Sequence, residues 1–307
     1  MLISSHGHWE KVQQMNVLVT GGAGYIGGAL VGSLIEADHT VRVFDRQSPP
    51  QRQAHPGCDY VRGDLLDVEA LAASLDDIEA VYHLAWGFYP EDPRREVEEN
   101  LAGTLNLLDA CRTSKVRQVI FASSAVAYGP TGDEPASETD PCRPERSTIG
   151  GPVYGITKLA CERYCLAHQR EGPAVTIMTI HGVFSKDRLG QFSEMIEQAK
   201  EGKDVLAVAE AGGQYARLDD AVRALGAALG RDKALGEVFN VAGSRVYRDK
   251  EIADYIAASA GSGSKVALVS DPGQALISVS VDKLSHAIGL RPRSADFLKR
   301  FIDARLA

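Results

Sequence analysis

Apolar residues fall in short solid runs, separated by stretches where they recur every three or four positions. The first run, "MNVLVT" at 15–20, is rich in β-branched residues and ends in glycines. Helical spacing follows at Ile26, Leu30, Leu34 and Ile35. Further runs predict strands at 40–45 ("TVRVFD"), 58–64 ("CDYVRGD"), 79–85 ("EAVYHLA"), 116–124 ("VRQVIFASS") and 174–180 ("AVTIMTI"). Between them the spacing predicts helices, notably over 67–75, 94–113 and 154–170. Strands that are apolar throughout and alternate with helices predict an α/β fold: a doubly wound parallel sheet covered on both faces, binding ligands at its carboxyl edge.

After residue 180 the pattern loosens. Helices are predicted at 192–202, 218–230, 249–260 and 294–305, and a strand at 236–243. This gives a core domain of residues 15–180 plus about 216–243. Residues 181–215 plus 244–307 form a smaller, discontinuous domain closing over the strand ends. Residues 1–14 precede the first convincing strand and read as an appended segment without the apolar core of a signal peptide.

Composition narrows the function classes. Lysine and arginine number 33 against 41 aspartates and glutamates, a net charge of −8 over 307 residues, which argues against a nucleic-acid surface. No apolar run is long enough to span a bilayer. The five cysteines (Cys58, Cys111, Cys142, Cys161, Cys165) form no Cys-x-x-Cys pair, and no nearby histidine completes a metal set. Reduced thiols in a cytoplasmic protein are the expectation, with no metal site.

The candidate chemistry begins at "VTGGAGYIGGAL". Gly21, Gly24 and Gly27 join the first strand to the first helix with spacing G-x-x-G-x-x-G. Such glycines allow a tight turn, a close approach of backbone N–H groups to a pyrophosphate, and close helix–strand packing, the signature of a Rossmann-type dinucleotide site. Asp45 closes the second strand, where a carboxylate accepts the adenosine ribose hydroxyls of NAD and repels the extra phosphate of NADP. Arg46 follows immediately and could soften that preference. Asp64 ends the third strand, as a receiver of the adenine amino group or as a helix N-cap.

A second constellation is "VYGITK" at 153–158, where Tyr154 and Lys158 share one helix face. That spacing alone leaves an ordinary amphipathic fragment open. The decision comes from the ordered set "TGGAGYIGG", Asp45, "GDL" (63–65), "HLA" (83–85), "NLAGTLNLLDAC" (100–111), "FASSAVAYG" (121–129), "YGITK", "RLDDAVRAL" (217–225) and "EVFNVAG" (237–243). Over nearly all of 15–307 this resembles the extended short-chain dehydrogenase/reductases, the NAD-dependent epimerase/dehydratase family. The resemblance implies a catalytic set of Ser124, Tyr154 and Lys158. Tyr154 would take the proton of a secondary hydroxyl, and Lys158 would lower the phenol pKa from its usual value of about 10 and bind the nicotinamide ribose. It also implies cofactor contacts from Tyr25, Ile26, Leu65, Leu84, Ala85, Trp86, Asn100, Ser123 and Val183, beside the glycines and acids above. Trp86, Phe88 and Tyr89 are candidates for the substrate pocket, and His83 reads as a structural strand residue.

The chain also departs from the family pattern. Dehydratase members carry Asp-Glu after the catalytic hydroxyl residue, where Ala125 and Val126 stand here. Sugar-nucleotide members have arginine and asparagine where this chain has Thr179 and Gly182, a further arginine at Gly213, and another in the region of 270–275. The expectation is therefore an NAD-dependent oxidoreductase acting on a secondary alcohol of a sugar or sugar-like acid. The alternatives are a sugar-nucleotide epimerase that retains NAD and, from another class, a non-catalytic NAD-sensing or scaffold protein. The resemblance further implies a homodimer through helices 94–113 and 154–170.

Overall fold

The computed structural model describes residues 13–49, 54–293 and 296–307. All but the last two residues of the segment expected at 1–14 lie outside them. The described residues form a seven-stranded parallel sheet from β1 (Asn16–Thr20), β2 (Thr40–Asp45), β3 (Cys58–Arg62), β4 (Ala80–His83), β5 (Gln118–Ser124), β6 (Ala174–Ile180) and β7 (Val238–Val241). The order across the sheet is β7-β6-β5-β4-β1-β2-β3. The chain runs outward from β1 to β3, then returns to β4 on the other side of β1. That reversal leaves a crevice at the carboxyl ends of β1 and β4, where doubly wound folds bind ligands.

Why the runs are solid is plain from burial. Every residue of β5 is buried, and so is all of β6 after Ala174. Helix α1 (Tyr25–Glu36) packs on one face, where Leu30, Val31 and Leu34 meet Val17, Val19, Val41 and Val43. The other face is covered by α2 (Val68–Ser74), α3 (Pro93–Arg112) and α4 (Tyr154–His168), which bring in Leu71, Leu107, Leu108, Cys161 and Cys165. Edge strand β3 is half-exposed and carries the Arg42–Asp59 ion pair across to β2.

Three elements depart from the pattern-based expectation. The third and fourth strands end two residues early, at Arg62 and His83, because the chain there turns over the crevice. Leu84 and Ala85 leave the ladder with their N–H groups on the Thr20 carbonyl and hydroxyl, at 3.1 and 3.3 Å. Beyond residue 180, helices α5 (Gln191–Lys200), α6 (Leu218–Ala228), α7 (Asp249–Ala260) and α9 (Phe297–Leu306) stand where expected, but α8 (Asp282–Ile288) was not. It packs Leu284 and Ile288 beside α6 on the face that α1 covers. A separate core of Phe184, Phe192, Ile196, Tyr215, Ile252, Ile256 and Leu298 joins α5, α7 and α9. Its strands are short, such as 205–208 paired with 266–269, and runs of that length carry no readable period.

Candidate active site

The crevice is lined by the glycine loop, the ends of β2 and β3, and the segment after β4. Gly21 sits at φ +73°, in the left-handed region, and a Cβ there would lie 2.5 Å from the Ala85 nitrogen. A Cβ on Gly27 would collide with the Gly21 carbonyl. These are the positions where backbone must come close to backbone. Helix α1 starts at Gly24 with no side-chain cap and no acid in its first turn. By contrast, Asp67 and Asp92 cap α2 and α3, each followed by a first-turn glutamate. The first N–H groups of α1 thus remain for an anion.

Asp45 accepts the Ala23 N–H at 3.0 Å with one carboxylate oxygen and the Gln47 N–H at 2.9 Å with the other. Each oxygen keeps a second lone pair for a hydroxyl. Asp64 is not the α2 cap; that is Asp67, which accepts the Ala70 N–H. Asp64 instead accepts the Leu66 N–H and lines the crevice beside Leu65. Arg46 turns toward α3, donating to Glu99 at 2.9 Å and to the Tyr89 hydroxyl at 2.9 Å. Leu84, Ala85 and Trp86 form the opposite wall. Asn100 borders the same space, but its amide is engaged within the protein: it accepts from Gly87 N–H and donates to the Gly87 and Glu96 carbonyls. It clamps the 84–89 segment.

Ile26 packs into the core beneath α1. Tyr25 turns its ring under the Arg188 guanidinium, 4.7 Å away. Val183 pairs with Ala216 in a two-residue strand beyond β6. His83 is fully enclosed between the Thr20 and Thr104 hydroxyls, and burial, with the Lys158 charge, draws its pKa down to about 3. It is a neutral structural residue, as read from the sequence.

The second constellation gathers at the end of β5 and the start of α4. Ser124 accepts the Val126 N–H at 3.3 Å and hydrogen-bonds the Tyr154 phenol. Lys158, one turn along α4, donates to the Ala122 carbonyl at 2.9 Å and lies 3.6 Å from the centre of the Trp86 ring. Burial draws its pKa down to about 7, against the pull of Glu162 and Glu96. Burial raises the Tyr154 pKa, and its hydrogen bond with Ser124 only partly opposes this. In this structure the Lys158 ammonium is turned to the Ala122 carbonyl and the Trp86 ring. Trp86 and Phe88 meet Tyr154 edge-on at 5.9 and 6.0 Å, whereas Tyr89 belongs with Arg46. Trp86 therefore touches both the cofactor crevice and Tyr154.

Three acids escaped the sequence reading. Glu162 accepts from the Ser123 hydroxyl, so Ser123 anchors α4. Glu96 is buried, accepts the Tyr89 N–H at 3.3 Å and faces the Trp86 indole N–H. Glu99 pairs with both Arg46 and Arg95. The only sequence signal was i,i+4 spacing, Lys158 to Glu162 and Arg95 to Glu99, and Glu96 had none.

The expected departures have a packing cause. A Cβ on Gly213 would collide with His181 Nε2, and one on Gly182 would lie 2.6 Å from the Tyr215 ring. His181 stacks on Tyr215 (centroids 5.6 Å apart), and its Nε2 has no hydrogen-bond partner among the described residues. Burial draws its pKa down to about 4. Arg217 is forked onto Asp219, Arg245 lies between Glu251 and Asp296, and Arg248 pairs with Asp133.

The chain matches the NAD dependent epimerase/dehydratase family over residues 17–242, and it belongs to that family. It is 31% identical over 214 residues to a 3β-hydroxysteroid dehydrogenase/Δ5→4-isomerase of Mycobacterium tuberculosis, covering 66% of this chain and 56% of that protein. It is 30% identical to a UDP-N-acetyl-α-D-glucosaminuronate decarboxylase of Bacillus cytotoxicus, over 81% of each chain. The chain spans about half the length of several curated relatives it matches. Among solved structures, the Thermus thermophilus UDP-glucose 4-epimerase in complex with NAD superposes with a TM-score of 0.80 at 28% identity, over 95% of this chain and 98% of that one. The crevice fits the family's cofactor. The uncapped α1 N-terminus and the glycine cradle suit a pyrophosphate, and Asp45 suits a ribose diol.

Proposed function

We propose that the chain is an NAD-dependent oxidoreductase acting on a secondary alcohol of a sugar or sugar-derived acid. The observation that carries this reading is the convergence of the Ser124 hydroxyl, the Tyr154 phenol and the Lys158 ammonium beside the cofactor crevice, with Trp86 common to both. Gly21, Gly24, Gly27, Asp45 and the α1 N-terminus would hold NAD, which supplies a hydride acceptor. Tyr154 takes the alcohol proton at its phenolic oxygen, and Ser124 holds that oxygen in line. Lys158 stabilises the phenolate. Ala125 and Val126, buried after Ser124, offer no acid to expel water, so dehydration is set aside.

A second reading, a sugar-nucleotide epimerase, has its support in the relatives named for UDP-sugars. Against it stand Gly213 under His181 and three arginines committed to acids. Residues 15–180 with 216–243 would serve the cofactor, and 181–215 with 244–307 the substrate. Among the described residues no helix is long and apolar enough to cross a membrane, and all five cysteines are unpaired, which supports a cytoplasmic site of action. A homodimer through α3 and α4 would cover the exposed Ile156 and Tyr164. The test is incubation with NAD and a panel of hexoses, hexuronic acids and UDP-sugars. NADH accumulating in solution with a free sugar or sugar acid supports the dehydrogenase; an epimeric product without free NADH moves the epimerase to first place.

A further inference from the structure

At the adenosine end of the crevice, three carboxylates (Asp45, Asp64, Glu99) and one guanidinium (Arg46) line the same space. Arg46 directly follows Asp45, the acid that would hold the ribose of NAD and meet the 2′-phosphate of NADP. A free guanidinium there would bind that phosphate by charge-assisted hydrogen bonds and favour NADP. Arg46 is not free. Its Nη1 donates to Glu99 Oε2 at 2.9 Å and lies 3.7 Å from Asp64, and its Nη2 donates to the Tyr89 hydroxyl at 2.9 Å.

The holder is itself held. Tyr89 donates its hydroxyl to Glu99 at 2.7 Å, Arg95 donates to the other Glu99 oxygen at 2.6 Å, and the Arg95 guanidinium stacks 4.2 Å above the Tyr89 ring. Burial pushes the Glu99 carboxyl up, but the hydrogen bonds from Arg95, Tyr89 and Arg46 outweigh it and bring its pKa to about 2. Glu99 thus stays ionised across the working pH range.

We propose that Glu99, with Tyr89, is a cofactor-specificity determinant: it holds Arg46 away from the 2′ position and makes the crevice select NAD over NADP. The inference rests on the NAD reading of the crevice and adds to it a residue outside the glycine loop and the β2 acid. Its consequence is that Asp45 does not act alone. Removing the Glu99 charge would take the carboxylate partner from Arg95 and leave Arg46 with only the longer Asp64 pair, and the site would turn toward phosphate.

The test is fluorescence titration of NADH and NADPH against the wild-type chain, Glu99→Gln, Arg46→Ala and the double variant, with no substrate required. Glu99→Gln is expected to raise the NADPH-to-NADH affinity ratio about tenfold, as one charge-assisted hydrogen bond becomes available to phosphate. Tyr89→Phe, which leaves the helix surface intact, should move the ratio the same way by a smaller factor. In the Arg46→Ala background the Glu99→Gln gain should vanish, because the effect acts through Arg46. An unchanged ratio in Glu99→Gln overturns the proposal. So does a gain of equal size in the double variant, which would mean that Glu99 merely repels phosphate. A wild-type chain that binds neither nucleotide would instead remove the cofactor reading itself.

Discussion

The two halves of the carboxyl edge are built differently. On the cofactor side, strands of four to seven residues pair in one parallel sheet, the glycine loop and the Asp45 carboxylate are held by main-chain groups, and Asn100 clamps the segment after β4. On the side facing residues 181–280, strands of two to four residues are tied by side chains. The Gln214 amide donates to the Gly243 carbonyl at 2.6 Å, and the Thr131 hydroxyl accepts the Ser278 N–H at 2.8 Å. There Tyr215 joins Gln191 and the buried Asp249, and His181 stacks on the same ring. A backbone-built site tolerates few changes and keeps its ligand. A side-chain-built one can change ligand by changing a few residues, and Gly182 and Gly213 stand where the family resemblance implies asparagine and arginine.

The largest effect separating the halves is expected at Tyr154. Tyr154→Phe should lower turnover of any accepted alcohol by about 10²–10⁴-fold, the range for one acid–base group, with NADH affinity nearly unchanged. Equal turnover of variant and wild type removes the catalytic reading. Lys158→Met should weaken both turnover and NADH binding and yet stabilise the fold. The Lys158 pKa is drawn from 10.5 down to about 7, so between those values the unfolded chain binds a proton that the folded one does not. Wild-type stability should therefore rise with pH across that window, and the Met variant should lack the slope and gain ~2–4 kcal/mol at pH 7. Thermal melts from pH 6.5 to 10 read both.

Asp249 offers the corresponding test in the other half. Burial raises its pKa from 3.8 to about 6, against hydrogen bonds from Tyr215 and Gln191. Between those values the folded chain holds a proton that the unfolded one releases. The stability this gives is complete below the unfolded pKa and is lost as pH rises through about 6. Asp249→Asn should match wild type near pH 4 and exceed it by ~1–3 kcal/mol at pH 7.5. A variant less stable at both values would mean that the ionised carboxylate contributes favourably. The smallest expected effect is at Asp45. Asp45→Ala should narrow the preference for NAD over NADP severalfold, because the repelling charge goes while Glu99 still holds Arg46. Paired titrations measure it, and an unchanged ratio would place selectivity wholly with the Glu99 cluster.

How far the sequence was readable follows the same division. Strands β1, β4, β5 and β6 announce themselves because both faces of the sheet are buried there, which makes the runs solid; β3, half-exposed at the edge, is read from its place between β2 and α2. The glycine spacing and Asp45 are readable because backbone geometry admits few alternatives there. Helix α8 was missed because it lies in the loose stretch after α7 with no solid strand run beside it, whereas α2, equally short, is framed by the runs of β3 and β4. Glu96 and Glu99 were missed because on a charged helix surface an acid beside a basic residue reads as ordinary pairing; what gives them a role is the 84–89 segment folding back across α3. The Lys158 environment was not legible either, since the Trp86 contact and the Ala122 carbonyl arise only from packing.

If the cofactor half keeps the family's design while the substrate half does not hold a nucleotide diphosphate, UDP should bind only weakly. Isothermal calorimetry of the NAD-loaded chain with UDP, UDP-glucose and free hexuronic acids tests it most directly. Each charge-assisted hydrogen bond to phosphate contributes roughly 1.5–3 kcal/mol, so loss of two arginines weakens UDP binding by about two to four decades. UDP is expected to show no binding below the millimolar range, with a free sugar acid binding more tightly than UDP. A micromolar dissociation constant for UDP alone would contradict it.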